Sequence, residues 1–135
     1  MSRMDGNPLN QNPLAVIGIF LMSTLALAQD PLRVACVGDS ITYGDQIADR
    51  EHYSYPAVLQ RLSQGRFSVG NFGVNGATAL KIAFRDWSRT AACRDAIAFE
   101  PDLVIIMLGI NDLAFPDLYA QYPADLRNIV TRFQS

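Results

Sequence analysis

Histidine is almost missing: His52 is the single imidazole in 135 residues, so any chemistry that needs a histidine base has one candidate. Cysteine is scarce too. Cys36 and Cys93 are the whole complement, which excludes a disulfide framework, a C-x-x-C pair and a Cys/His metal cluster. Neither sign of charge dominates, with 11 Lys and Arg against 13 Asp and Glu for a net charge of −2. That balance offers no nucleic-acid footprint and mainly serves solubility. Low-complexity linkers and internal repeats are also lacking. What is present is apolar residues, 50% of the chain, which argues against disorder. The length suits one domain with a core and is short for a complete doubly wound enzyme. No cofactor and no metal are expected.

Residues 1–28 differ in character from the rest. Arg3 lies in a polar start rich in Asn and Pro, and residues 14–27 form an apolar run of signal-peptide length rather than membrane-spanning length. Ala26-Leu27-Ala28 then offers small residues for a signal peptidase, so cleavage after Ala28 is expected, leaving 29–135 as the mature part. Asp5, which offsets Arg3, and Pro13 before the apolar run count against this. The expectation is a secreted or periplasmic protein with no stable membrane partner; the alternatives are an uncleaved anchor or a misassigned start. Lipid attachment at Cys36 is disfavoured by Arg33 and by the place of Cys36 inside a strand.

From there the chain alternates strand-like and helix-like segments, the pattern of an α/β fold with a parallel sheet. Val34-Ala35-Cys36-Val37 is continuously apolar, as buried parallel strands are. Ser54 is placed to cap a helix carrying Tyr55, Val58, Leu59 and Leu62, with Pro56 in its first turn and Gly65 after its end. Phe67-Ser68-Val69 reads as a weaker strand, with Asn71-Phe72-Gly73-Val74-Asn75-Gly76 as the loop after it. Leu80, Ala83, Phe84 and Trp87 recur at helical spacing and predict a helix, followed by another through Cys93, Ala96 and Ile97. Leu103-Val104-Ile105-Ile106-Met107-Leu108 is the strongest strand signal, and Gly109-Ile110-Asn111-Asp112 is the loop at its end. Leu126, Ile129, Val130 and Phe133 mark a last amphipathic helix.

Three β-loop-α units thus put Ser40, Gly76 and Asn111 in loops on one edge of the sheet. Each has a plain reading: Ser40 as a helix cap, Gly76 as a tight turn, Asn111 as a cap or a loop-internal bond. Together they supply a hydroxyl nucleophile and two of the donors that ester hydrolysis needs around its oxyanion. Asp39 reads as a turn carboxylate beside the nucleophile, and Asp112 as structural. His52 lies in a polar loop, Asp49-Arg50-Glu51-His52-Tyr53, where it reads as a solvated residue at the rim of the cleft. Asp39 and His52 are the candidates for touching substrate.

Gly38-Asp39-Ser40-Ile41, Asn71-Phe72-Gly73-Val74-Asn75-Gly76 and Gly109-Ile110-Asn111-Asp112 resemble, in order, the first three sequence blocks of the SGNH, or GDSL, hydrolases. The resemblance implies a three-layer, doubly wound, flavodoxin-like sheet with the first strand central. It implies Ser40 as nucleophile, with an oxyanion hole made by the Ser40 N–H, the Gly76 N–H and the Asn111 side-chain amide. It also implies an Asp-x-x-His near the C-terminus, and neither Asp117 nor Asp125 has a histidine three residues later. Loss of the base removes on the order of 10³-fold or more of activity. The chain is therefore expected to be the N-terminal part of such a domain, C-terminally truncated, with little turnover of its own.

Asn71 through Thr78 and Ser54-Tyr55-Pro56 resemble the sialate O-acetylesterase-like and acetylxylan-esterase-like branches, which implies acetylated carbohydrate substrates. Lysophospholipase or short-chain acyl-ester hydrolysis is the rival within enzymes; an inactive remnant or a non-hydrolytic carbohydrate-binding module is the rival outside them. The apolar strand from Leu103 to Leu108 is expected to form an open edge through which chains self-associate.

Overall fold

The structure, a computed structural model, describes residues 30–82 and 84–134. The leader assigned to residues 1–28, its cleavage after Ala28, and Ala83 lie outside the described residues.

A three-stranded parallel sheet in the order β2-β1-β3 organises the chain. β1 (Leu32–Gly38) is central and pairs with β2 (Phe67–Gly73) over its whole length and with β3 (Leu103–Met107) over its last five residues. Val34, Ala35, Cys36 and Val37 are all 0% exposed, so both faces of β1 are covered. Cys36 and Gly38 face the helices α1 (Ser40–Tyr43) and α3 (Tyr55–Leu62), meeting Tyr55 and Thr42. Val37 faces the other way, into a core with Trp87, with Cys93 and Ala96 of α4 (Ala91–Ala98), and with Ile129 of α5 (Tyr122–Thr131). Phe72, Val104 and Ile106 pack on the same side. Helices on both faces of a parallel sheet give the α/β fold expected from the alternating pattern and the three layers that the resemblance implies. α2 (Arg50–Tyr53) is a single short turn before α3.

β2 is longer than its sequence signal. Asn71, Phe72 and Gly73 pair in register with Cys36, Val37 and Gly38 although Gly and Asn are poor strand formers. Gly73 is required there because a β-carbon would sit 2.1 Å from the Tyr43 backbone nitrogen. The outer edge of β2 is strapped by α3. Gln60 donates to Phe67 O at 2.9 Å and accepts from Val69 N at 2.7 Å, while Ser63 Oγ accepts from Phe67 N at 3.2 Å. β3 pairs with β1 alone among the described residues, and Leu103 is 51% exposed. It ends at Met107, one residue short of the expected Leu108, whose carbonyl is taken by the Tyr122 hydroxyl at 2.9 Å.

The helix expected through Leu80, Phe84 and Trp87 does not form. The backbone takes another course: Thr78 N–H bonds Arg85 O, Ala79 and Leu80 bond Asp112, Lys81 bonds Asp125, and Trp87 N–H, which a helix would direct four residues back, bonds Thr78 O. Leu80 and Trp87 are buried nonetheless, whereas Phe84 is 86% exposed. Tertiary hydrogen bonds here override a local periodicity.

Candidate active site

The register that pairs Gly38 with Gly73 on one side and Met107 on the other aligns the C-terminal ends of all three strands. Ser40, Gly76 and Asn111 each follow that line within a few residues, so they occupy neighbouring loops at one end of the sheet.

Ser40 is the first residue of α1 and is half-buried. It is not the cap. Asp39 caps the helix, its Oδ1 accepting from Ile41 N at 2.9 Å, and it is 1% exposed. The chain turns this sharply because position 38 has no β-carbon; one would lie 2.0 Å from Thr42 Oγ1 and 2.6 Å from Met107 O. Behind α1, Thr42 Oγ1 and the Tyr55 hydroxyl are 3.2 Å apart, and burial pushes the Tyr55 phenol up to about 12. Burial also raises the Cys36 thiol that the same phenol meets.

The second loop is anchored to the first. Val74 N donates to Gly38 O at 2.9 Å, and Asn75 donates from its side chain to Asp45 Oδ1 at 2.9 Å. Gly76 has φ +74°, the left-handed region where glycine is the least strained residue. The third loop then grips the second. Asn111 Nδ2 donates to Ala77 O at 3.0 Å, and Asp112 accepts from Ala79 N at 3.2 Å and Leu80 N at 2.8 Å. Asn111 therefore bonds across to the neighbouring loop and not within its own. An amide nitrogen carries two hydrogens, so one remains to donate to a ligand. Asp112 is 2% exposed. Tyr122, whose hydroxyl holds Leu108 O, is raised first by burial and then by the negative charge of Asp112.

His52 lies apart. It sits in α2 with its side chain 72% exposed, its Nδ1 2.8 Å from Asp49 Oδ1. Asp49 and His52 have the Asp-x-x-His spacing, a signal overlooked in the sequence, yet no hydrogen bond joins either to Ser40 among the described residues. Sequence reasoning also missed that Asp112 ties two loops together. Its position next to Asn111 after an apolar strand was the only hint. Among the described residues no three His, Cys, Asp or Glu side chains converge to hold a metal.

Residues 36–135 match the GDSL-like Lipase/Acylhydrolase family. The chain belongs to this family. An acetylxylan esterase of Xylanibacter ruminicola is 44% identical over 96 residues, which are 71% of this chain and 20% of that protein. Two mutant structures of the esterase AlinE4 each align over 78% of this chain and 56% of theirs at 24% identity, with TM-score 0.53, a likeness of fold. The chain thus spans about a fifth of the curated relative and about half of the solved ones. The three sequence blocks at residues 38–41, 71–76 and 109–112 lie at or just past the C-terminal ends of β1, β2 and β3, in that order.

Proposed function

We propose that this chain carries the nucleophile and oxyanion-binding half of a serine esterase acting on acetyl esters of carbohydrates. The observation that carries this reading is the binding of the Asn111 amide to the loop of Gly76, beside the loop that begins α1 at Ser40. In the proposed reaction Ser40 Oγ bonds to the acyl carbon and gives its proton to water, and the carbonyl π electrons move onto oxygen, where the N–H groups of Ser40 and Gly76 and the Asn111 amide hydrogen-bond to the charge. The intermediate then breaks its bond to the sugar oxygen, which leaves as the protonated hydroxyl. The acetylxylan esterase relative supports the acetyl and carbohydrate parts of the reading. So does Phe84, 86% exposed beside Arg85 on the rim of a hollow of about 190 Å³ that includes Gly76. Its ring offers an apolar face for a sugar to stack on.

No hydrogen bond joins His52 to Ser40 among the described residues, so in this reading His52 is not the base of Ser40 and the chain turns substrate over weakly. The same fact favours the second reading, a site that binds acetylated sugar without hydrolysing it. Fluorophosphonate labelling decides between them: slow covalent labelling at Ser40, located by peptide mass spectrometry and lost in Ser40→Ala, supports the esterase. Binding of acetylated xylo-oligosaccharide with no adduct at Ser40 supports the second. We propose also that the protein is exported with cleavage after Ala28, which N-terminal sequencing of the cell-derived protein tests. The open edge of β3, unlike the strapped edge of β2, supports self-association of the chain through Leu103–Met107.

A further inference from the structure

Asn111 and Asp112 are consecutive, and they bind consecutive parts of one segment. Asn111 takes Ala77 O, and the two oxygens of Asp112 take the N–H groups of Ala79 and Leu80. The segment is otherwise irregular, and its next N–H, that of Lys81, goes to Asp125 Oδ2 at 3.1 Å. Without the Asp112 bonds the Ala79 and Leu80 N–H groups are left unmet in a buried setting, and the segment that follows the Gly76 turn loses its anchor to the third loop. A carboxylate accepting two backbone N–H groups in a buried setting holds them strongly, since charged acceptors make the shorter and stronger bonds and unmet buried N–H groups are costly.

We propose that Asp112 is a positioning residue that fixes the Gly76 N–H and the Asn111 amide relative to each other, so that both aim at one oxygen atom. This rests on the esterase reading for what the oxygen is, but the placement itself is a property of the chain. Asp125 is the internal control. It binds the same segment one residue further from Gly76, and Lys81 Nζ lies 3.5 Å from its other oxygen.

The test is amide NMR and hydrogen exchange on the full chain carrying Asp112→Ala, Asp112→Asn or Asp125→Asn. In Asp112→Ala the Ala79 and Leu80 amides should exchange at least about tenfold faster, and the Gly76 N–H and Asn111 NH₂ resonances should shift, while the amides of β1 stay protected. Asp112→Asn, which keeps one carbonyl acceptor, should show smaller shifts in the same direction. Asp125→Asn, which also keeps one carbonyl acceptor but removes the charge that Lys81 Nζ meets, should confine its shifts to Lys81 and leave Gly76 and Asn111 unmoved. Unchanged Gly76 and Asn111 resonances in an otherwise folded Asp112→Ala protein would overturn the proposal. If Asp112→Ala loses the β1 protection, Asp112→Asn carries the test. Unfolding of that variant as well would also overturn it, since Asp112 would then serve the fold at large. Fluorophosphonate labelling in parallel separates the two readings: no adduct at Ser40 in the unaltered chain counts against the esterase, whereas the resonance shifts judge Asp112 alone.

Discussion

Asn111 reaches from the end of β3 to the carbonyl of Ala77, 3.0 Å away, and so joins the last loop of the sheet to the turn of Gly76. The bond fixes the direction of the amide before any ligand arrives, which is the pre-organisation that makes an oxyanion donor effective. On the proposed esterase reading, Asn111→Ala should lower the rate of acylation or phosphonylation of Ser40 by roughly 10²–10³ with little change in KM, because the lost donor would act on charge that develops only in the transition state. Single-turnover kinetics measure this. His52→Ala should leave the rate within about twofold, the effect expected of an exposed side chain away from the reacting atoms. Comparable losses in both variants would mean that His52 acts on Ser40.

Gly38 is held between Thr42 Oγ1 and the Met107 carbonyl, at 2.0 and 2.6 Å from where a β-carbon would lie. Gly38→Ala should cost about 1–3 kcal/mol, as overpacking does. Urea unfolding of the purified chain checks it. Adding Thr42→Ala should recover only part of the loss, because the Met107 carbonyl is backbone and stays in place.

The Tyr55 phenol titrates at about 12 in the folded chain against an ordinary 10.0, chiefly because it is buried. The folded state therefore favours the neutral form. The stabilisation is present in full below pH 10 and is lost as pH rises through 10 towards 12, where the unfolded chain has already released its proton. Thermal unfolding should show a Tm that falls across this window. In Tyr55→Phe the fall should flatten, and the loss of the Thr42 bond should cost about 1 kcal/mol at neutral pH.

Phe84 presents its ring to solvent on the rim of the Gly76 hollow. Phe84→Ala should weaken binding of acetylated xylo-oligosaccharides by about 0.5–1.5 kcal/mol, the scale of one aromatic contact, while melting stays unchanged. Isothermal titration against both proteins reads the difference. Equal affinity would place the sugar elsewhere.

β3 contributes a five-residue apolar strand, with neither charge nor proline, to an edge that pairs with nothing else among the described residues. The purified chain should associate at micromolar concentrations, and Ile105→Lys should return it toward monomer. Sedimentation velocity on both proteins gives the answer, and a monomer unaffected by Ile105→Lys would show the edge to be protected.

Much of the fold was legible because its signals are local. A continuously apolar run such as Val34 to Val37 can be satisfied only by burial on both faces, and the apolar spacing of Leu126, Ile129 and Val130 marks α5, although that helix ends at Thr131, before Phe133. What was not legible depends on residues far apart in the chain. Leu80 and Trp87 have a helix-like period, but Asp112 and Asp125, more than thirty residues after Leu80, hold the N–H groups of Ala79, Leu80 and Lys81 in an irregular course. The extension of β2 through Asn71 to Gly73 comes likewise from pairing with β1, against the preference of its own residues. That Ser40, Gly76 and Asn111 follow the aligned ends of the three strands was legible from the short motifs that hold them. The bond from Asn111 to Ala77 was not, because no spacing within either loop encodes it.

The strap that Gln60 and Ser63 lay along β2 gives the sheet a direction of growth. Its hydrogen bonds to Phe67 and Val69 occupy the groups through which another strand would enter on that side. Any strand that joins must do so beside β3. If it runs parallel, as the present strands do, its own C-terminal loop arrives next to Asn111, and never next to Asn71. The chain thus determines on which flank a further strand can extend its sheet.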